Sequence, residues 1–192
     1  MPRLVGAVVQ PGALSGTEQP EIPVDGQLFL RPWDEEDVPA VVAAYAEADI
    51  REWNLYSLDE AEAREWIRSW SAAWDAETDA AWAIAKRSDR SVIGRVSLRG
   101  IFLPAGSAEV TYWVTPHNRR QGAASRATSA LSRWAFESLG LHRLELMHSV
   151  RNASSCGVAV QAGFVSEGTK RSSLLHADGW HRVWDPHLGS SR

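Results

Sequence analysis

Cysteine is nearly absent: Cys156 is the single one in 192 residues, so no internal disulfide can form, and a reducing, cytoplasmic setting is expected. Long apolar runs are missing too. Nothing approaches the ~18 residues that a helix needs to cross a bilayer. The early Leu4-Val5-Gly6-Ala7-Val8-Val9 is shorter than a signal-peptide core of ~7–15 residues and lacks a cleavage region. Positive charge is not in excess. Lys and Arg total 20 against 24 Asp and Glu, a net charge of −4, so the molecule as a whole does not attract nucleic acid or anionic lipid, and any anion site must be local. His117, His142, His148, His176, His181 and His187 contain no His-x-x-x-His pair, and no metal is expected. Neither a Gly-x-x-x-x-Gly-Lys-Ser/Thr loop nor a Gly-x-Gly-x-x-Gly turn after the first strand is present, which removes the common nucleotide folds. There are no internal repeats.

Tryptophan is abundant instead, with ten residues, and 44% of the chain is hydrophobic, enough for one domain with a real core. Residues 1–26 carry Pro2, Pro11, Pro20 and Pro23 without a sustained period and read as an irregular arm. Disorder, cover for a sheet edge and a part in a homodimer all stand open for it. A single domain is expected over 27–192.

Leu28-Phe29-Leu30-Arg31 reads as a strand stopped by Pro32. Asp34 or Asp37 can cap a helix ending near Ala48, with Pro39 favouring Asp37. Ser57-Leu58-Asp59-Glu60 has the form of a capping box for a helix running to about Asp75. Residues 81–86 read as a strand, a turn follows at 88–91, and Val96 and Leu98 alternate with Arg95, Ser97 and Arg99 as in a sheet wet on one face. Another strand spans 108–114. An amphipathic helix follows over 122–139, closed by Gly140, then a strand over 143–150, a helix from the cap Asn152 to Gly163, and a strand from Phe164. Strand, helix, strand, helix, strand favours a mixed sheet with helices on its faces.

The chemistry concentrates where the strand ending Tyr112-Trp113-Val114 hands over to a helix through Arg119-Arg120-Gln121-Gly122-Ala123-Ala124-Ser125. The first N–H groups of a helix lack partners within it, its dipole places positive charge there, and small residues permit close approach, so this turn suits a phosphate. As a string alone it is a weak signal, since a basic first turn is common.

The segment resembles motif A of the GNAT superfamily of N-acetyltransferases, Arg/Gln-x-x-Gly-x-Gly/Ala. The order Tyr112-Trp113, Pro116, Arg119, Gly122, Ala124, Asn152, Ser155, Gly163-Phe164 and Asp178-Gly179-Trp180-His181 is similar to the RimJ/RimL branch, over roughly residues 27–184. The resemblance implies an α/β (α+β) fold: a mixed, mostly antiparallel sheet of six to seven strands with about four helices, splayed between the fourth and fifth strands. It implies acetyl-CoA (coenzyme A) as acyl donor and no metal. The pyrophosphate would lie on the amides of Arg119, Arg120, Gln121, Gly122, Ala123, Ala124 and Ser125. The pantetheine would lie along Tyr112, Trp113 and Val114, with Asn152 and Ser155 beside it. Ser155 would serve the departing sulfur and Glu109 would act as base, directly or through water. Trp53 and Tyr56 would border the acceptor.

Each residue also has a plainer reading. Glu109 can be an ordinary strand carboxylate, Ser155 a cap residue, Cys156 a buried apolar filler, and the stripe Trp66, Trp70, Trp74 simple packing. Four positions depart from the branch: Thr111 and Arg120 stand where Gly is common, Arg126 where Glu is, and Arg182 near where an Asp is often found. Asp185-Pro186 is expected to interrupt the last strand. The function implied is acetyl transfer to a primary amine, a protein N-terminal α-amine or a small molecule such as an antibiotic. The alternative is a non-catalytic acyl-CoA-binding or protein-interaction module of the same fold.

Overall fold

Period-two alternation between residues 80 and 114 builds three consecutive antiparallel strands, β3 (Ala80–Lys86), β4 (Val92–Phe102) and β5 (Ser107–Val114), in a computed structural model that describes residues 4–190. On one side they continue through β2 (Leu28–Arg31) to the two-residue β1 (Ile22–Pro23). On the other, β5 pairs in parallel with β6 (Arg143–Glu145), and β6 and β7 (His148–Ser149) both pair with β9 (Gly179–Gly189). The outermost strand, β8 (Val165–His176), pairs with β9 in a long hairpin. The mixed, mostly antiparallel sheet thus has nine strands, more than the six to seven expected, because β1 is added and the strand read over 143–150 is broken into β6 and β7.

Among the described residues five α-helices, against the four or so expected, cover the sheet: α1 (Val38–Ala46), α2 (Ala48–Asn54), α3 (Glu60–Asp75), α4 (Ala123–Glu137) and α5 (Ala153–Gln161). The helix read as ending near Ala48 stops at Ala46, where Glu47 is extended (φ −68°, ψ 126°), and α2 starts afresh. Asp37 occupies the N-cap of α1 but does not cap it with its side chain. Its carboxylate takes both Arg31 guanidinium nitrogens at 2.7 Å in a buried bidentate pair. The capping box of α3 is Asp59 with Glu62, not Ser57 with Glu60: Asp59 Oδ1 accepts from the Glu62 amide and Glu62 returns the bond.

Helices lie on both faces. Val96, Leu98, Val110 and Val114 pack with Ala127, Leu131 and Ala135 of α4 in the larger core cluster. Trp113 turns the other way, into a second cluster with Val41 and Tyr45 of α1 and Ile67 of α3. That cover overturns the expectation of a face wet along β4, for Arg95 and Ser97 are buried and only Arg99 is exposed. The tryptophan stripe of α3 divides between the clusters: Trp66 joins the second, while Trp74 meets Trp82 and Trp134 in the first.

The segment before β2 is largely irregular yet well tied. Leu14 is 1% exposed, the Trp74 and Trp82 indoles donate to the carbonyls of Thr17 (2.9 Å) and Pro20 (2.8 Å), and the Glu77 carboxylate accepts the Gly12 and Leu14 amides. Nor does Asp185-Pro186 interrupt β9. A register shift between Ser166 and Gly168 falls opposite it, and the strand runs on to Gly189.

Candidate functional site

β5 and β6 run together for three rungs, Ser107 with Arg143, Ala108 with Leu144 and Glu109 with Glu145, and then part. From Val110 onward β5 keeps β4 as its strand partner, while the chain beyond β6 turns to β9. Thr111 causes none of this divergence. β5 stays in regular register with β4 from Glu109 to Val114, and Thr111 bonds Ser97 across it at 2.8 Å. A cleft of about 1730 Å³ passes through the fork, lined on one side by β5 and α2 and on the other by β7 and α5.

Alternation sorts the β5 side chains to the two sides of this passage. Val110, Tyr112 and Val114 face α4, whereas Glu109, Thr111 and Trp113 face the side covered by α1 and α3. At the fork, burial pushes the Glu109 carboxyl up to about 7, and the Glu145 carboxylate beside it adds to the rise; Arg99, opposite in β4, and Lys170 oppose it. Glu145 itself is held by Arg143 at 2.9 Å. A carboxyl titrating near neutrality at a solvent-reached fork can exchange a proton with a bound amine.

On the other side, Tyr112 is half-buried, and its buried hydroxyl has no hydrogen-bond partner among the described residues. Desolvation pushes this phenol up to about 12. The Ser155 side chain faces it and lowers it in part, without completing a well-aligned bond. Asn152 caps α5, its Oδ1 accepting the Ser155 amide at 3.0 Å, and both residues line the cleft. The cap is thus Asn152 and not Ser155, whose backbone N–H is the group being capped, and the bond fixes Ser155 on the first turn facing Tyr112. Cys156 is half-buried rather than buried, and does not line the cleft.

The turn before α4 is built by two left-handed residues, Arg120 (φ 57°) and Gly122 (φ 71°). It leaves the N–H groups of Arg120, Gln121, Gly122, Ala123, Ala124 and Ser125 without partners among the described residues, and the first intrahelical bond is donated by Arg126 to the Gly122 carbonyl at 3.0 Å. Six consecutive free donors at a helix N-terminus form an anion cradle. Arg119, expected to lend its amide to this cradle, does not: its N–H donates to the Pro116 carbonyl at 3.2 Å. Its Nε donates to the Val114 carbonyl (2.9 Å) and its Nη1 to Asp49 of α2 (2.7 Å). Arg120 is exposed and lines the cleft, whereas the Gln121 side chain turns out of it toward the His117 carbonyl. Arg126 pairs with Asp25.

Trp53 and Tyr56 line the far wall, Trp53 half-buried with its ring edge-on to His176 (5.4 Å), Tyr56 exposed. Trp66 lines it too, while Trp70 and Trp74 are packing residues. Trp113 is 4% exposed and serves mainly as core against Tyr45 and Trp33.

Three features escaped sequence reading. Arg95 lines the cleft from the buried face of β4. His148, pulled down by burial, presents an unpartnered Nε2. Ser149, His181 and Asp178 form a hydrogen-bonded chain, 2.8 and 2.7 Å, from the cleft to the surface. Asp178 and His181 stood in the sequence among the residues of the resemblance, but Ser149, 32 residues from His181, had no local signal. Among the described residues no group of three His, Cys, Asp or Glu is arranged to hold a metal, and no helix is long and apolar enough to cross a membrane.

Comparison with known proteins fits this geometry. Residues 27–165 match the family described as "Acetyltransferase (GNAT) domain". The uncharacterized N-acetyltransferase YoaA of Bacillus subtilis is 26% identical over 152 residues, 77% of this chain and 85% of that protein. Among solved structures, the RimL ribosomal L7/L12 alpha-N-protein acetyltransferase in complex with coenzyme A superposes with a TM-score of 0.82 at 22% identity, over 88% of this chain and 98% of that one. The microcin C7 self immunity acetyltransferase MccE, in complex with acetyl-CoA and AMP, gives 0.79 at 16% identity over 87% and 94%. At such identities these two structures establish a shared fold.

Proposed function

Because the chain belongs to the GNAT family of acetyltransferases, in which acetyl-CoA is the acyl donor, we propose that its fork joins a donor side to an acceptor side. The acceptor is a primary amine that attacks the acetyl-CoA thioester directly. The observation that carries this reading is the placement of Glu109, a carboxyl near neutrality, on the face opposite Tyr112 and Ser155 at the point where the strands part.

The six free amides of residues 120–125 hold the pyrophosphate, with Arg120 adding charge. The unpaired edge of β5 beyond Glu109 and the Asn152 side chain hold the pantetheine. Glu109 takes a proton from the acceptor's ammonium, directly or through water, so that the neutral nitrogen can bond to the carbonyl carbon. As the carbon–sulfur bond breaks, the Tyr112 phenol gives its proton toward the sulfur, with Ser155 beside it to share the developing charge. Trp53 and Tyr56 border the acceptor.

Two acceptor classes fit, a protein N-terminal α-amine and a small-molecule amine. The names of the RimL and MccE neighbours support one each. The reading places the protein in the cytoplasm, in keeping with its lone, unpaired Cys156. A homodimer belongs to the reading too: the outermost strand β8 is exposed along most of its length, with Val165, Leu175 and the adjacent Trp180 bare. Thiol release over a panel of amines tests the whole. The parent protein should turn over at least one, and Glu109→Gln and Ser155→Ala should lower kcat. Binding of coenzyme A without turnover of any amine would overturn the catalytic assignment.

A further inference from the structure

Two arginines of the sheet are buried to nearly the same depth, Arg31 at 8% exposure and Arg95 at 6%, and they differ in one respect. Arg31 has its counter-ion, the bidentate carboxylate of Asp37. Arg95 has none among the described residues. Its Nη2 donates to the Thr111 hydroxyl at 3.1 Å and its Nη1 to the Tyr45 hydroxyl at a long 3.4 Å, and its Nε has no partner. Trp66 and Trp70 flank the guanidinium at 5.9 and 5.7 Å. The charge felt at Arg95 is a second cation, Arg99, itself paired with Asp79 at 2.7 Å. An arginine stays charged even here, and a buried charge held only by neutral hydroxyls and aromatic faces is poorly compensated. Arg95, Thr111, Tyr45 and Trp66 all line the cleft, so the uncompensated charge is presented to whatever enters on the acceptor side.

We propose that Arg95 is the specificity-determining residue for an acceptor that carries an anionic group, a carboxylate or a phosphate, close to its reactive amine. The spacing follows from the strand. Thr111, which holds the guanidinium, lies two residues beyond Glu109 on the same face of β5, so anion and amine are separated by about 7 Å at ~3.3 Å per residue. A peptide with a free N-terminus and an acidic side chain at its second residue has that span. The inference rests on the proposed seat of the amine at Glu109.

The test uses three tetrapeptide amides, Ser-Glu-Ala-Ala, Ser-Gln-Ala-Ala and Ser-phosphoSer-Ala-Ala, with acetyl-CoA for turnover and with coenzyme A-loaded protein for calorimetric binding. The glutamyl or phosphoseryl peptide should exceed the glutaminyl one about tenfold or more in kcat/KM and in affinity, and the better of the two names the anion. In Arg95→Met the advantage should shrink to within about twofold, and Arg95→Lys should restore part of it. Circular dichroism and coenzyme A binding at parental values show that the variants are folded. Equal use of the acidic and neutral peptides by the parent overturns the role of Arg95 while leaving acetyl transfer standing. An advantage that survives in folded Arg95→Met overturns it as well. Tight binding of the acidic peptide without turnover of any peptide supports Arg95 and removes the catalytic reading instead. Absence of both binding and turnover for all three peptides overturns the proposed acceptor.

Discussion

Glu109 and Glu145 are register partners on the last rung that β5 and β6 share, and the strands separate immediately beyond them. Burial at this rung is the main reason that Glu109 holds its proton up to about 7, and the Glu145 carboxylate beside it adds to the rise. The rung that ends the pairing thus also contributes to the titration of the group placed at the fork.

Acetyl transfer should rise with pH along a limb with an apparent pKa near 7, because Glu109 must be deprotonated to accept a proton. Glu145→Gln removes the neighbouring negative charge and should move this limb to lower pH, with burial still holding it above an ordinary glutamate. Glu109→Gln should abolish the limb and lower kcat by about 100-fold or more. kcat/KM profiles from pH 5 to 9 on the three proteins check both, and a limb left in place by Glu109→Gln would assign it to another group.

Stability carries the same signature with a definite sign. The folded pKa of Glu109 is raised from 4.5 to about 7, so between these values the folded state binds more protons than the unfolded one. This contribution is present in full below about 4.5, declines as pH rises, and is gone above about 7. Glu109→Gln lacks the penalty of the buried carboxylate and should be more stable than the parent at pH 8.5, by about 1–3 kcal/mol. At pH 4.5 the two should unfold at similar urea midpoints.

Gly122 sits at φ 71°, with no atom closer than 3.7 Å to the place of a Cβ, so Gly122→Ala meets backbone strain rather than a clash. The strain amounts to about 1–2 kcal/mol, and relief by turning the peptide would misdirect the free amides. Coenzyme A affinity by calorimetry should fall about tenfold, while the fold persists by circular dichroism. Unchanged affinity would move the pyrophosphate away from this turn.

Tyr112→Phe deletes a hydroxyl that has no partner to lose, so folding stability should change by less than about 1 kcal/mol. kcat should nevertheless fall by about 10- to 100-fold, with the KM for acetyl-CoA nearly constant, the pattern of a group that acts as the sulfur departs. Ser155→Ala should have a smaller effect alone, and little further effect once Tyr112 is Phe. Independent, multiplicative losses would argue against a shared role.

Leu14, at 1% exposure, belongs to the main core cluster although it lies in the arm. Leu14→Ala should therefore destabilise the whole domain by about 2–5 kcal/mol, read as a shift of the urea midpoint. A disposable arm would show no shift.

Much of this could be read from the chain because local signals and tertiary demands agree. Pro116, the Gly122 turn and the apolar face of α4 act in one direction, and Asn152 caps the helix it was expected to cap. The misreadings share a cause, which is competition from distant groups. Asp37 is drawn from its cap by Arg31, and Asp59 with Glu62 outcompetes Ser57 with Glu60 two residues later. Arg95 and Ser97 alternate like surface residues, and only the helices arriving over them bury them. The break between β6 and β7 has no proline or glycine to announce it, since Leu146 and Met147 are ordinary strand residues and the gap is made by the parting from β5. Glu109 was legible as a candidate, but its elevated proton affinity comes first from burial in the folded fork and then from Glu145, 36 positions away in the chain, and neither is a local signal.

The alternation of β5 has a consequence for how such a protein can change. Its even and odd positions lie on opposite sides of one backbone, which the proposed reading assigns to donor and acceptor respectively. On that reading, substitutions at Thr111, or at Arg95, which bonds it from β4, would retune which amine is accepted without touching the surface assigned to coenzyme A. A lineage built on this strand can therefore explore new acceptors one residue at a time while its fuel supply stays constant.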